Sequence, residues 1–328
     1  MEQTDHVTKS PVLVLTQCFD PTADLVICEL SSRRVPVVRL DVAEFPETLV
    51  LQARIGGGRN GWHGLLSTDH HTVCLADIRS VWYRRPTRFV LHPAMPTSDR
   101  AWTEREALAG FGGVLSALRC RWVNHPHCNA IAESKPLQLA TAVACGLAIP
   151  DTFITNDPKA ARAFVTAQKD GAIYKPLRGS PDGAERKAVA LYTSPVTAEE
   201  ITDGVARTAH LFQSRVPKKF EVRLIVVGQQ QFAARIDASS DKTRVDWRSD
   251  YGSLTYQPAT VPRPISDGVN QLMTSLGLAY GALEFIVDPE GCWYFLEVSP
   301  NGQWGWIELA TDLPIAHAIA DLLEGWTP

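Results

Sequence analysis

Two glutamates, Glu284 and Glu297, lie in the run G-A-L-E-F-I-V-D-P-E-G-C-W-Y-F-L-E-V-S-P-N-G-Q-W-G-W that starts at Gly281. Strand-like stretches flank Asp288-Pro289-Glu290-Gly291, where Pro at the second position and Gly at the fourth suit a type I turn. Pairing Asp288 with Gly291 puts Glu284 opposite Phe295 and makes Glu297 its diagonal neighbour on the same face, roughly 7–8 Å away. Two carboxylates among Leu283, Phe285, Ile286, Phe295 and Leu296 repel each other and are costly to desolvate unless a positive charge lies between them. Magnesium meets that need: it is a hard ion served by carboxylate oxygens, and it usually brings nucleotide phosphates as further ligands. One glutamate alone would equally suit the solvated face of an edge hairpin. The pair, followed by polar Ser299 and Asn301, favours the metal. In extended backbone Glu297, Ser299 and Asn301 project to the same side. Asn301 is the expected direct ligand through its amide oxygen, with Ser299 acting through water.

Phosphates also call for cations. Lys135 opens a helix, and Lys175 ends a strand in Y-K-P-L-R-G-S-P-D-G, where Gly179, Ser180 and Gly183 would let backbone amides approach phosphate oxygens. Either lysine alone would serve as a solvated charge, and the absence of a G-x-x-x-x-G-K-[ST] loop disfavours a P-loop nucleotidase. The run Leu211 to Val216, with Gln213, Ser214, Arg215 and Val216 at its end, offers backbone donors and acceptors to adenine. Beyond it, Glu221 and Arg223 alternate with Val222, Leu224 and Val226, which places the charges on one strand face. Arg235, on the next strand-like run, is expected to join Arg223 beside a transferring phosphoryl group, because guanidinium stabilises charge spread over several oxygens. A surface salt bridge accounts equally for either arginine taken alone.

The elements that must position these groups alternate between strand and helix. Val12 to Leu15, a helix over Asp24 to Leu30 and a strand at Val35 to Leu40 begin an α/β unit. Ile55 to Gly64 is glycine-rich without the spacing of a dinucleotide fingerprint, and is expected as a mobile loop. Leu108, Phe111, Leu115 and Leu118 recur at helical spacing. A boundary is expected near Arg121 to Asn129, where a short strand gives way to a turn carrying Pro126 and two histidines. Past it come a helix closed by Gly146 and the strands Ala172 to Lys175, His210 to Val216, Phe220 to Val227 and Gln230 to Ile236. His125, His127 and Cys128 read as an interdomain loop, since H-x-H-C has no partner pair elsewhere.

With 328 residues, 45% of them hydrophobic, the chain can bury a sizeable core, and about 150 residues per domain suggests two domains. Its formal charge of −4 gives no general attraction to nucleic acid. No apolar run approaches the roughly 18 residues of a membrane span, and the N-terminal stretch lacks the apolar core of a secretory signal. Seven irregularly spaced cysteines with no C-x-x-C pair fit a reducing cytoplasm.

Taken together, the lysine at the start of the second part, Y-K-P before a glycine loop, E-V-R-L-I-V-V-G and the carboxylate hairpin resemble the ATP-grasp ligases. More narrowly, V-W-Y-R-R-P at Val81 to Pro86, W-V-N-H-P at Trp122 to Pro126, G-L-A-I-P-D-T at Gly146 to Thr152 and E-V-S-P-N-G-Q-W resemble the microviridin-type ligases, or graspetide synthetases. The resemblance implies an α/β (α+β) chain with a pre-ATP-grasp domain over 1–124 and an ATP-grasp domain over 125–328, divided into subdomains at about 216/217. It implies Lys135 and Lys175 as nucleotide lysines, Gln213 to Val216 as the adenine hinge, and Gly179 in the phosphate loop. Arg223 and Arg235 become the phosphate-side catalytic arginines, and Glu284 and Glu297 the metal carboxylates. The family commonly places Asn where Ser299 stands. ATP and Mg2+ are the implied cofactors and a precursor peptide, leader and core, the implied partner, with a homodimer as one assembly open to it. The implied activity closes side-chain ester or amide rings in that peptide through an acyl phosphate. A ligase adding a free amino acid and a catalytically degenerate peptide-binding module are the alternatives.

Overall fold

The computed structural model describes residues 7–8, 10–178, 193–238 and 254–325. Its N-terminal part is built on a four-stranded parallel sheet ordered Val37–Leu40, Val12–Thr16, Ser80–Arg85, Arg121–Val123. The first strand in sequence is apolar on both faces because both are covered: Val12 and Val14 enter one core with the helix Pro21–Ser32, Leu13 and Leu15 another with Phe111 and Leu115. A second sheet, of the strands Val7–Thr8, Thr72–Cys74, Arg59–Ser67 and Val50–Gly56, flanks this unit. The stretch Ile55 to Gly64, expected as a loop, is therefore mostly hairpin. Gly57 and Gly58, with φ of +63° and +78°, make its turn.

The face expected from Leu108, Phe111, Leu115 and Leu118 is broken as well. The helix Thr97–Ala107 passes into a π turn, Leu108–Gly112, before the short helix Gly113–Ser116. The wider turn slips the register: Phe111, Leu115 and Leu118 are buried, whereas Leu108 is 64% exposed.

Two antiparallel sheets follow. The first runs Ser194–Val196, Ala172–Lys175, His210–Ser214, Thr152–Thr155. The second, of five strands, runs Leu254–Ala259, Gln230–Ala238, Phe220–Val227, Tyr280–Val287, Trp293–Ser299. Alternation along Phe220–Val227 divides that sheet's two cores. Val222, Leu224 and Val226 face the helices Lys135–Ala144 and Arg263–Ser275. Ile225 and Val227 face the helix Ile315–Glu324 and the parallel sheet, so Arg223 projects towards the N-terminal part. The outer edge of Trp293–Ser299 is covered by the chain around helix Lys135–Ala144: Phe295 N donates to Ala148 O at 2.8 Å. Gln138 exchanges side-chain bonds with both Val298 N and Val298 O at 2.9 Å.

Candidate active site

The carboxylate hairpin is the first element the site needs, and its register differs from the expected one. The turn is one residue longer, with Asp288 N bonding Cys292 O at 3.1 Å. A β-bulge follows, so that Phe285 pairs with Phe295 but Glu284 with Glu297. The two glutamates are thus direct cross-strand partners rather than diagonal ones. Arg223 pairs with Glu284 on the next strand inward, and the three charged side chains form one row across the sheet.

The charge between the carboxylates is already partly supplied by the protein. Arg223 Nη1 donates to Glu284 Oε1 at 2.7 Å, with the two side chains only 7% and 8% exposed. Lys135 Nζ reaches Glu297 Oε2 at 2.8 Å. Because Gln138 ties its helix to the strand of Glu297, Lys135 is held at the edge of the row. Beside it lies a cavity of about 360 Å³ whose wall carries Glu133, Lys135, Arg178, Glu297, Ser299 and Asn301. Arg178 comes from the segment leaving Ala172–Lys175, so this cavity is where the two antiparallel sheets face each other across charged groups.

The loop after Glu297 is held from the N-terminal part. Arg84, buried at the end of Ser80–Arg85, donates from Nη1 to Asn301 O at 2.5 Å and Gly302 O at 3.3 Å, and from Nη2 to Gln303 Oε1. Burial lowers the pKa of its guanidinium, opposed in part by Tyr280 and Asp20. Asp20, 3.6 Å from Arg84 Nε, is itself oriented by Thr16 and caps the helix Pro21–Ser32. Tyr280 donates its hydroxyl to Gly302 O at 2.7 Å, and burial pushes that phenol up to about 12. Asn124 completes the clamp, donating to Tyr280 O at 2.8 Å and Pro300 O at 3.0 Å. Asn301 turns its amide so that Nδ2 donates to Tyr83 O at 2.9 Å and Oδ1 accepts from Asn129 Nδ2 at 3.2 Å.

A methyl group on Gly302 would overlap Ala282 Cβ and lie 2.6 Å from Arg223 Nη2. Neither neighbour can move without disturbing the charged row. Gly302→Ala is therefore expected to lower turnover at least about tenfold through the Arg223–Glu284 geometry, measured as initial ATP-dependent product formation. Unchanged rates would mean that the loop relaxes without moving Arg223.

Lys135, Glu297, Ser299 and Asn301 thus share one cavity, with Glu284 and Arg223 in the adjoining row. Lys175 ends the strand that leads to Arg178, and Gln213 to Val216 lie on the neighbouring strand's end. Gln213 is buried, bonding Thr152 Oγ1 at 2.8 Å, while Ser214 N and Arg215 N bond Asp151 O and Gly171 O. Gly179 falls outside the described residues. Arg235 corrects an expectation: it pairs in register with Val222, not Arg223, and so emerges from the opposite face. There it makes a bidentate pair with Asp237, at 2.6–2.9 Å, and lies 4.2 Å from the ring centroid of Phe220. Consecutive strand residues alternate, and the register that decides this depends on the turn rather than on local sequence. His125 caps the helix Pro126–Ala132 and contacts Ser116 O at 3.0 Å. Among the described residues no group of three His, Cys, Asp or Glu side chains is assembled to hold a metal. The residues that sequence reasoning passed over are Arg84, Asn124, Arg178 and Gln303. They stand in V-W-Y-R-R-P, W-V-N-H-P, Y-K-P-L-R-G and the polar run after Glu297, motifs that mark the residues without giving their partners.

The model of the MvdD pre-ATP-grasp domain matches residues 11–130. Among curated proteins no match is found. Solved structures align over nearly the whole chain. The macrocyclase MdnB of Microcystis aeruginosa MRC is 32% identical, with a TM-score of 0.80 over 96% of this chain and 99% of that one. The macrocyclase MdnC of the same organism, bound with precursor peptide MdnA, is 28% identical, with a TM-score of 0.84 over 96% and 99%. A Chryseobacterium gregarium RiPP-associated ATP-grasp ligase, in complex with ADP and a leader and core peptide, is 27% identical, with a TM-score of 0.88 over 97% and 98%. The sheets are those of a pre-ATP-grasp domain followed by an ATP-grasp fold, and the protein is a ligase of that class. At 32% identity across all but 1% of MdnB, the chain belongs to the microviridin-type ATP-grasp ligases, the graspetide synthetases.

Proposed function

We propose that the chain uses ATP to close side-chain ester or amide rings in a ribosomally made precursor peptide. The observation that carries this reading is the in-register row of Arg223, Glu284 and Glu297, ended by Lys135, on a cavity that Arg178 also lines. A carboxylate of the peptide attacks the γ-phosphorus, the bond to the bridging oxygen breaks, and an acyl phosphate and ADP result. A hydroxyl or amine of the same peptide then attacks the acyl carbon, loses its proton and expels phosphate. Lys135, Arg178 and Arg223 stabilise the charge spread over phosphoryl oxygens, and a site closed to water preserves the acyl phosphate. Glu284 and Glu297 suit magnesium, which brings phosphate oxygens into its shell and supplies charge neutralisation when bound. Asn301 or Ser299 would complete that shell.

The MdnC and Chryseobacterium structures, bound with peptide and in the latter case also ADP, support the peptide and nucleotide parts of this reading. We place adenine at the end of strand His210–Ser214, near Val216, with the phosphates running from Lys175 to Lys135, and we divide the chain at 124/125 and 216/217. All seven cysteines are free, which suits the cytoplasm; among the described residues no helix is long and apolar enough to cross a membrane.

Incubation with ATP, magnesium and a short Thr-, Asp- and Glu-rich precursor peptide is expected to remove one water per ring, read by mass. Gain of an amino acid would assign the chain to amino-acid addition instead, and an unchanged mass to peptide binding alone. Lys175→Ala is expected to weaken ADP binding at least about tenfold, the loss of one charged phosphate contact. Equal affinity in calorimetry would remove Lys175 from the nucleotide site.

A further inference from the structure

A second cavity, of about 610 Å³, lies over the carboxyl ends of the parallel strands, lined by Leu15, Tyr83 and Trp122 from those strands and by Phe89, Leu108 and Phe111. That end of an open α/β sheet is where ligands bind, and the volume falls within the ~300–1,000 Å³ of ligand pockets. None of the steps above uses it.

The helix beside it is shaped for an occupant. Gly112 and Gly113 line the pocket with ordinary helical φ of −62° and −64°, so neither glycine is required by backbone conformation. Each costs about 1 kcal/mol against alanine in a helix. What they supply is room: a Cβ on Gly113 would meet no atom within 4 Å. The π turn that ends at Gly112, a feature frequent at functional sites, swings Leu108 out to 64% exposure at the same pocket.

The pocket adjoins the carboxylate cavity. Tyr83 lines it, and the Tyr83 carbonyl holds the Asn301 amide that lines the cavity. Ala130 lines the pocket, and Glu133, about one helical turn further on, lines the cavity. An extended peptide advances about 3.3 Å per residue, so a chain with its carboxylate in the cavity brings a side chain a few residues away over the pocket.

We propose that this pocket seats large apolar side chains of the peptide substrate and so sets the distance between an apolar anchor and the carboxylate to be activated. This rests on the function proposed above. A displayed library of random 12-mer peptides, selected on the wild-type protein without nucleotide, tests it. Enriched peptides are expected to share an aromatic or large aliphatic residue at a fixed spacing from Asp or Glu. Their recovery should fall at least tenfold on Gly113→Leu, which fills the pocket from a helix-compatible position. It should fall likewise on Leu108→Asp, which changes an exposed residue if the first variant folds poorly. Peptides that bind both variants as well as wild type, or no enrichment at all, overturn the proposal. So does wild-type self-association that both variants abolish in sedimentation, which would give the pocket to a second copy. The nucleotide reading fails separately, on an absence of ADP binding to the wild-type protein in calorimetry.

Discussion

Glu297→Gln is expected to reduce ATP-dependent ring closure by about 10²–10³-fold, the loss seen when one preorganised electrostatic partner is removed from an active site, while the fold persists. The substitution keeps the shape of the side chain and its place opposite Glu284, and deletes one negative charge. Its partner Lys135 is a quarter exposed and Glu297 about a fifth. A pair so open to solvent contributes at most about 1 kcal/mol, and melting should move by only a few degrees. Metal dependence separates this outcome from general damage. With one carboxylate gone, magnesium should no longer enhance nucleotide binding. ADP binding without magnesium should be kept or strengthened, because Lys135 then has no carboxylate competing with phosphate. Near-normal cyclisation by the variant would sink the metal assignment of the hairpin.

The sequence carries the type of each charged group in this row more faithfully than its direction. Glu284, Glu297 and Lys135 are legible because a carboxylate within an apolar strand, or a lysine at a helix start, is conspicuous whatever its neighbours. Which of them touch depends on register, and register depends on one extra turn residue and the bulge that sets Glu284 against Glu297. A regular two-residue turn at Gly228 and Gln229, with no slip, sends Arg235 to the other face, where Asp237 takes its guanidinium. Leu108 shows the helical version: period 3.6 places it with Phe111, and the π turn takes it away. Arg84 and Asn124 stand in V-W-Y-R-R-P and W-V-N-H-P, yet their role as a clamp was illegible for another reason. Their partners are backbone carbonyls and amides distant in sequence, and those groups are the same at every residue, so no side-chain pattern announces them.

The Arg223–Glu284 pair separates what the site does for stability from what it does for chemistry. Both side chains lie under a tenth exposed, and Arg223 also donates to Gln303 O at 3.3 Å. Arg223→Met keeps the bulk but leaves the Glu284 carboxylate without its guanidinium inside a closed row. Removing one partner of a buried pair destabilises by about 3–5 kcal/mol, which should be visible as a lower urea midpoint. Replacing both partners with apolar groups removes the buried carboxylate too, and such replacements are often neutral or stabilising. The double variant Arg223→Met/Glu284→Leu should therefore regain most of the lost stability. It should regain no turnover, because the row adjoining the cavity has lost the cation proposed for the phosphate side and a carboxylate together. A single variant as stable as wild type would mean that water reaches Glu284. A double variant that still closed rings would place the chemistry outside this row.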